Sequence, residues 1–182
     1  IYYDVNDALV IKRSAELFAR DIQMVTGQKP ELIQKRERAK ALVIVGTIEK
    51  NQWICELAQK GKIDIRPLQG AWERYLIQTV DNPSPGVAKA LVIAGSDRRG
   101  AAYGLFSISE MMGVSPWYWW GDVPVKTHKA LYVDAPPTYS KTPSVKYRGI
   151  FLNDEDWGLK PWAAKTFEKE RGNIGPRTYA KI

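Results

Sequence analysis

The sequence predicts an α/β fold of stacked layers with parallel strand pairing. Three observations lead there. Ile11, Ala15, Phe18, Ile22 and Val25 recur at helical spacing. Ala41–Val45 and Leu91–Ala94 are continuous apolar runs, the pattern of strands buried on both faces. Helical and strand patterns then alternate along the chain, as they do when helices cover a sheet.

The elements follow in order. Gly27 and then Pro30 close the first helix, and Gly46 ends the first strand. Ile54, Leu57 and Ala58 mark a second helix, stopped near Gly61. Trp72 to Val80 is β-rich, with large side chains on both faces: Trp72, Leu76 and Val80 against Tyr75 and Ile77. After the strand at Leu91–Ala94, Gly95 to Gly100 form a turn. Ala101, Leu105, Ile108 and Met112 then mark a helix that ends at Gly113. Residues 1–134 are therefore expected as one α/β domain. The Pro/Ser/Thr-rich stretch 135–144 reads as a linker. Val145–Leu152 reads as a strand opening a second domain, residues 145–182.

Composition narrows the function classes. With 45% hydrophobic and 26% charged residues the chain is globular, which excludes disordered, collagen-like and disulfide-scaffold readings. No apolar run approaches the ~20 residues a membrane-spanning helix needs. The 27 Lys and Arg against 20 Asp and Glu leave a net charge of +7. That charge is dispersed, however: Lys12, Arg13, Lys35, Arg36 and Arg38 alternate with Glu16, Asp21, Glu31 and Glu37. Such mixing reads as a solvated face, and no recognition-helix or stacking-sheet signature supports a nucleic-acid partner. Cys55 is alone, so no internal disulfide forms, and its apolar setting predicts a buried thiol. The chain begins at Ile1 with no signal-peptide pattern, so any leader is expected to have been removed. Gly175–Ile182 reads as a helix just starting, with Thr178 as its cap, and the chain is expected to be a piece of something longer.

Several segments have the residue types that chemistry needs. Gly95-Ser96-Asp97-Arg98-Arg99-Gly100 sits between a strand and a helix, where phosphate loops occur. Ala101-Ala102 nevertheless stands where such a loop requires Lys and Ser/Thr. A tight turn is the better reading, with Gly104 allowing the helix close to the sheet. Trp117-Tyr118-Trp119-Trp120 is the densest aromatic stretch among 7 Trp and 9 Tyr. It reads as buried cement between domains or, alternatively, as a carbohydrate platform. His128 is the only histidine and has no second ligand near it in sequence, which speaks against zinc.

Asn153-Asp154-Glu155-Asp156-Trp157 is the sharpest signal. Three consecutive carboxylates repel one another, so burying them for structure alone costs stability. At the C-terminal end of a strand they gain a purpose, because β/α barrels carry their functional groups there. The EF-hand spacing that calcium requires is missing. In an extended chain Asp154 and Asp156 lie ~6.8 Å apart on one side. Glycoside hydrolysis needs two carboxyl groups approaching the bond from different directions. The partner carboxylate is therefore expected elsewhere, beyond Ile182.

Three stretches carry a family resemblance. They are Gly95-Ser96-Asp97-Arg98-Arg99-Gly100-Ala101-Ala102-Tyr103-Gly104, Gly113–Pro124 with its Pro116-Trp117-Tyr118-Trp119-Trp120-Gly121-Asp122 centre, and Tyr147–Leu159 around Asn153-Asp154-Glu155-Asp156-Trp157. They resemble glycoside hydrolase family 115, the xylan α-1,2-glucuronidases, and residues 161–176 are also similar. The resemblance implies a small N-terminal α/β domain followed by the first strand and the start of the first helix of a TIM-type (β/α)8 barrel. It implies inverting removal of glucuronic acid, or its 4-O-methyl ether, from glucuronoxylan, with no cofactor and no metal. Asn153 and Asp154 are then expected to contact the uronic acid or the attacking water, with Glu155, Asp156 and Trp157 as further substrate contacts. The general acid is expected beyond Ile182, so these residues alone are expected to be inactive. A periplasmic or extracellular location and a homodimer of the full-length protein also follow from the resemblance. The competing class is a non-catalytic carbohydrate-binding module using Trp117, Trp119 and Trp120.

Overall fold

The pleat of the two apolar runs decides how the first unit is layered. In Ala39–Thr47 and Val87–Gly95 alternate side chains point to opposite faces. Leu42, Ile44, Ala90, Val92 and Ala94 enter one core, whereas Val45 and Ile93 enter the other. Both faces therefore need covering. A computed structural model describes residues 1–119 and 121–181. These divide into two compact units, Ile1–Ser144 and Val145–Ile182.

The first unit is a five-stranded mixed sheet between helices. Its strands are β1 (Tyr2–Tyr3), β2 (Ala39–Thr47), β3 (Tyr75–Ser84), β4 (Val87–Gly95) and β5 (Thr138–Tyr139). Their order across the sheet is β1-β2-β4-β3-β5. β2 lies between β1 and β4, parallel to both, with Val43, Ile44 and Val45 opposite Leu91, Val92 and Ile93. α1 (Leu9–Thr26) and α3 (Arg98–Met111) cover one face, burying Ile11, Ala15, Phe18, Ala101, Leu105 and Ile108 against Val45, Ile77 and Ile93. α2 (Gln52–Gln59) covers the other, where Trp53, Ile54 and Leu57 meet Ile44, Leu76 and Val92. A buried Trp of this size carries much of its core, and Tyr2 packs edge-on to Trp53 at 4.8 Å. The predicted α/β fold and its principal helices and strands are present.

Helix ends follow local chemistry. α1 closes on Gly27, whose φ of 76° is the left-handed conformation glycine adopts without strain. α2 starts at Asn51, whose side chain accepts the N–H groups of Trp53 and Ile54. α3 starts at Asp97, which accepts those of Arg99 and Gly100. Gly104 stands where α3 presses on the sheet: a Cβ there would lie 2.6 Å from Ile93 Cγ2.

Four features depart from the sequence expectations. First, β3 pairs antiparallel with β4, not parallel. Only residues 85–86 separate the two strands, too few for the crossover of a dozen or more residues that parallel pairing needs. β3 also starts at Tyr75, three residues after Trp72. Second, the expected linker joins the sheet. β5 pairs with β3, and Ala135 exchanges hydrogen bonds with Thr79 at 2.8 and 2.9 Å. Tyr139 secures the stretch by donating its hydroxyl to Asp64 O at 2.7 Å. Third, Val145–Leu152 forms no strand and is exposed; among the described residues its unit holds no other strand for it to join. Fourth, Cys55 is half-buried, with its thiol 3.2 Å from Ile48 O, and not enclosed. Among the described residues no helix is long and apolar enough to cross a membrane.

Candidate functional site

The second unit holds the acidic segment. α4 (Leu159–Trp162) is a single turn that continues into a wide π-type turn, Ala163–Phe167. Leu159 and Ala163 are buried, and the Trp162 and Phe167 rings stack at 5.5 Å. α5 (Pro176–Lys181) begins with Pro176, whose missing N–H costs nothing at that position.

A buried carboxylate sets where α5 starts. Glu168 is only 3% exposed and accepts both the Thr178 N–H, at 3.0 Å, and the Thr178 hydroxyl. Arg177 Nε approaches the same carboxylate at 3.5 Å, while its other nitrogen pairs with Glu170. The hydrogen bonds from Thr178 hold the Glu168 carboxyl below the usual carboxylate range, with Arg177 adding to them. Gly175 leaves room for this carboxylate, since a Cβ there would sit 2.5 Å from Glu168 Oε1 and displace it. Thr178, expected as the cap, instead lies inside α5 and donates to Glu168. The physical reason is that Pro176 already starts the helix two residues earlier.

Asn153, Asp154, Glu155, Asp156 and Trp157 form an exposed turn ahead of α4. Gly158 N–H donates to Glu155 O at 3.3 Å, which closes the turn. The three carboxylates have separate surroundings. Asp154 Oδ2 accepts the Tyr179 hydroxyl. Asp156 pairs with Lys160 Nζ at 2.8 Å, and this bond pulls its carboxyl below the ordinary range. The Tyr179 phenol is correspondingly raised by its bond to the Asp154 carboxylate. Trp157 exposes 86% of its surface. No cluster of three or more His, Cys, Asp or Glu able to hold a metal ion occurs among the described residues. Chemically, the turn offers one carboxylate held by a phenol, a second neutralised by a lysine, and an open indole face. An ionised carboxylate is an acceptor only, so Asp154 suits a sugar hydroxyl or a water.

Sequence reasoning did not find Tyr179 or Glu168. The Gly175-Pro176 pair announced a helix start, and Tyr179 is three positions on, in its first turn. Nothing local, however, links it to Asp154 twenty-five residues earlier.

The other candidate segments lie in the first unit. In the Gly95–Gly100 turn the Asp97 carboxylate itself occupies the α3 N-terminus, accepting from Arg99 and Gly100 at 2.9 and 2.8 Å. Its second oxygen accepts Glu73 N–H at 2.7 Å. The place a phosphate would take is thus filled, in keeping with a structural turn. Trp117 and Tyr118 are exposed, Trp119 is half-buried, and Trp120 lies outside the described residues. His128 is exposed, and its backbone N–H donates to Val25 O at 2.8 Å.

Residues 140–182, which take in the whole second unit, match the sequence model of the family described as Glycosyl hydrolase family 115. No curated protein matches the chain. Among solved structures it is similar to a family 115 4-O-methyl-α-glucuronidase with specificity for decorated arabinogalactans, at 36% identity and a TM-score of 0.79. That similarity covers 100% of this chain and 22% of the solved one, so the chain spans less than a quarter of that enzyme's length. With the family match over the acidic unit and 36% identity over an alignment spanning the whole chain, the chain belongs to glycoside hydrolase family 115.

Proposed function

We propose that this chain is part of an α-glucuronidase that removes glucuronic acid, or its 4-O-methyl ether, from xylan by inverting hydrolysis. The observation that carries the reading is the 36% identity, over the whole chain, to a 4-O-methyl-α-glucuronidase. The acidic turn supplies part of the site. Asp154 accepts a hydrogen bond from a substrate hydroxyl or the attacking water, and Asn153 beside it supplies a second polar contact. Trp157 lays its exposed indole against the sugar's C–H face, while Glu155 and Asp156 line the same turn.

Inversion places its two carboxyl groups roughly 6.5–9.5 Å apart, leaving room for water between them. A single turn cannot wrap a sugar from both sides, so the general acid comes from residues after 182. In this reading Val145–Leu152 is the first strand of a β/α barrel, paired when its neighbouring strands are present. That places the acidic turn at the strand's C-terminal end, the functional face of such barrels. Hydrolysis consumes only water, and the reading invokes no cofactor. Polysaccharides do not cross membranes unaided, which favours a periplasmic or extracellular location.

The test uses a polypeptide that carries this chain within its full length. Release of glucuronic acid from glucuronoxylan is measured beside release from a decorated arabinogalactan. Release from glucuronoxylan, reduced at least about a hundredfold by Asp154→Ala at unchanged melting temperature, is the expected result. Release from the arabinogalactan alone overturns the xylan assignment. Release from neither overturns the activity.

A further inference from the structure

We infer that Tyr179 is a positioning residue: its hydroxyl locks the Asp154 carboxylate in one orientation and leaves Oδ1 as the oxygen offered to a ligand. The inference rests on the reading of Asp154 as a substrate contact. An exposed aspartate samples several rotamers, each aiming its oxygens differently. The Tyr179 hydroxyl donates to Oδ2 and selects one of them. A hydrogen bond to an ionised acceptor is roughly twice as strong as one between neutral groups, enough to bias a solvated side chain.

The phenol is itself held in place. Tyr179 follows directly on Thr178, whose N–H and hydroxyl are both bound by the buried Glu168. Arg177, on the other side of Thr178, reaches the same carboxylate. Register along α5 is therefore set by Glu168, and the Tyr179 ring is carried to Asp154 by that register. The carboxylate raises the phenol's titration, so Tyr179 stays a donor through the neutral range. What the acidic segment needs from α5 is thus one hydroxyl, placed by an anchor two residues from that helix's start.

Two measurements on the full-length polypeptide test this. Tyr179→Phe is expected to lower kcat/KM on glucuronoxylan about threefold to tenfold, the range of one net hydrogen bond. Its melting temperature should stay within about 2 °C, since ring packing is retained. The Asp154→Ala/Tyr179→Phe double variant should be no worse than Asp154→Ala alone, because a residue acting through the Asp154 carboxylate has nothing left to position. In NMR of tyrosine-labelled protein, the Tyr179 phenol should titrate above the ordinary range and return toward it in Asp154→Ala.

Wild-type kcat/KM in Tyr179→Phe overturns the inference, as does a phenol titration that Asp154→Ala leaves unmoved. A tyrosine with a merely structural role would lose the same factor in both backgrounds, which also overturns it. Wild-type release by Asp154→Ala defeats a different claim, the placement of Asp154 in the site. Loss in Asp154→Ala beside full activity in Tyr179→Phe defeats the positioning role alone.

Discussion

Replacing Asn51 with alanine tests how the first unit is held together. Asn51 is 0% exposed. Its Oδ1 accepts the N–H groups of Trp53 and Ile54 at 3.1 Å each, and its Nδ2 donates to Val45 O at 2.9 Å. One side chain thus caps α2 and ties it to β2. Losing an N-cap costs about 1 kcal/mol. Leaving buried backbone groups without partners adds about 1–3 kcal/mol, so Asn51→Ala should cost about 2–4 kcal/mol in all. For a chain of this size that lowers the melting temperature by about 4–16 °C. Urea unfolding followed by tryptophan fluorescence is the assay, because Trp53 is 1% exposed and lies two residues from the change. Asn51→Asp separates the two roles. Aspartate caps an exposed helix as well as asparagine does, yet here it would aim an oxygen at the Val45 carbonyl and bury a charge. It should therefore be about as damaging as alanine. A loss below about 0.5 kcal/mol in Asn51→Ala, the size of an ordinary surface change, would refute the reasoning.

Two further substitutions probe the same unit. Gly104→Ala places a methyl 2.6 Å from Ile93 Cγ2 and 3.3 Å from Tyr75 Cγ, so the buried Ile93 side chain or α3 itself must shift. The expected cost is about 1–3 kcal/mol in a urea titration, against the slight gain alanine brings to an unobstructed helix. Asp21 is buried, which raises its carboxyl above the usual range, while the Ser109 hydroxyl at 2.6 Å and then Arg20 partly offset this. The folded chain therefore holds the Asp21 proton more tightly than the unfolded chain does. Its contribution to stability is complete below the ordinary aspartate pKa and is lost as pH rises through the raised value. Asp21→Asn keeps an acceptor for Ser109 and never ionises. It should melt higher than wild type at pH 7 and show no advantage near pH 3; parallel melting profiles across that interval would contradict the account.

The legible parts of this protein were those with short-range causes. α1, α2 and α3 announce themselves by apolar spacing, and β2 and the C-terminal half of β4 by runs with no polar interruption. Each element must bury a face whatever it packs against, so its pattern survives any arrangement of the others. β1 and β5, at two residues each, carry no period at all and exist only because β2 and β3 offer them edges. The antiparallel β3–β4 pair was hidden for another reason. Its connection is short enough to exclude a crossover, but β3 runs through Pro83 and a register shift between Asp81 and Ser84, which blurs where the strand ends. The acidic turn was visible because three adjacent carboxylates have no structural use. Its phenol partner was not, since a hydrogen bond across twenty-five residues depends on Glu168 fixing the start of a helix.

Local chemistry in the sequence thus determined the α/β layering, the helix ends at Gly27 and Gly113, and the place of the carboxylates. Those properties depend on neighbours within a turn or a pleat. Only the tertiary structure decided strand order, the direction of β3, the recruitment of residues 135–140 to the sheet and the pairing of Tyr179 with Asp154. Each of these is a choice among partners distant along the chain. Such choices are settled by which backbone edges and side chains meet when the cores close, and no short stretch of residues encodes that meeting.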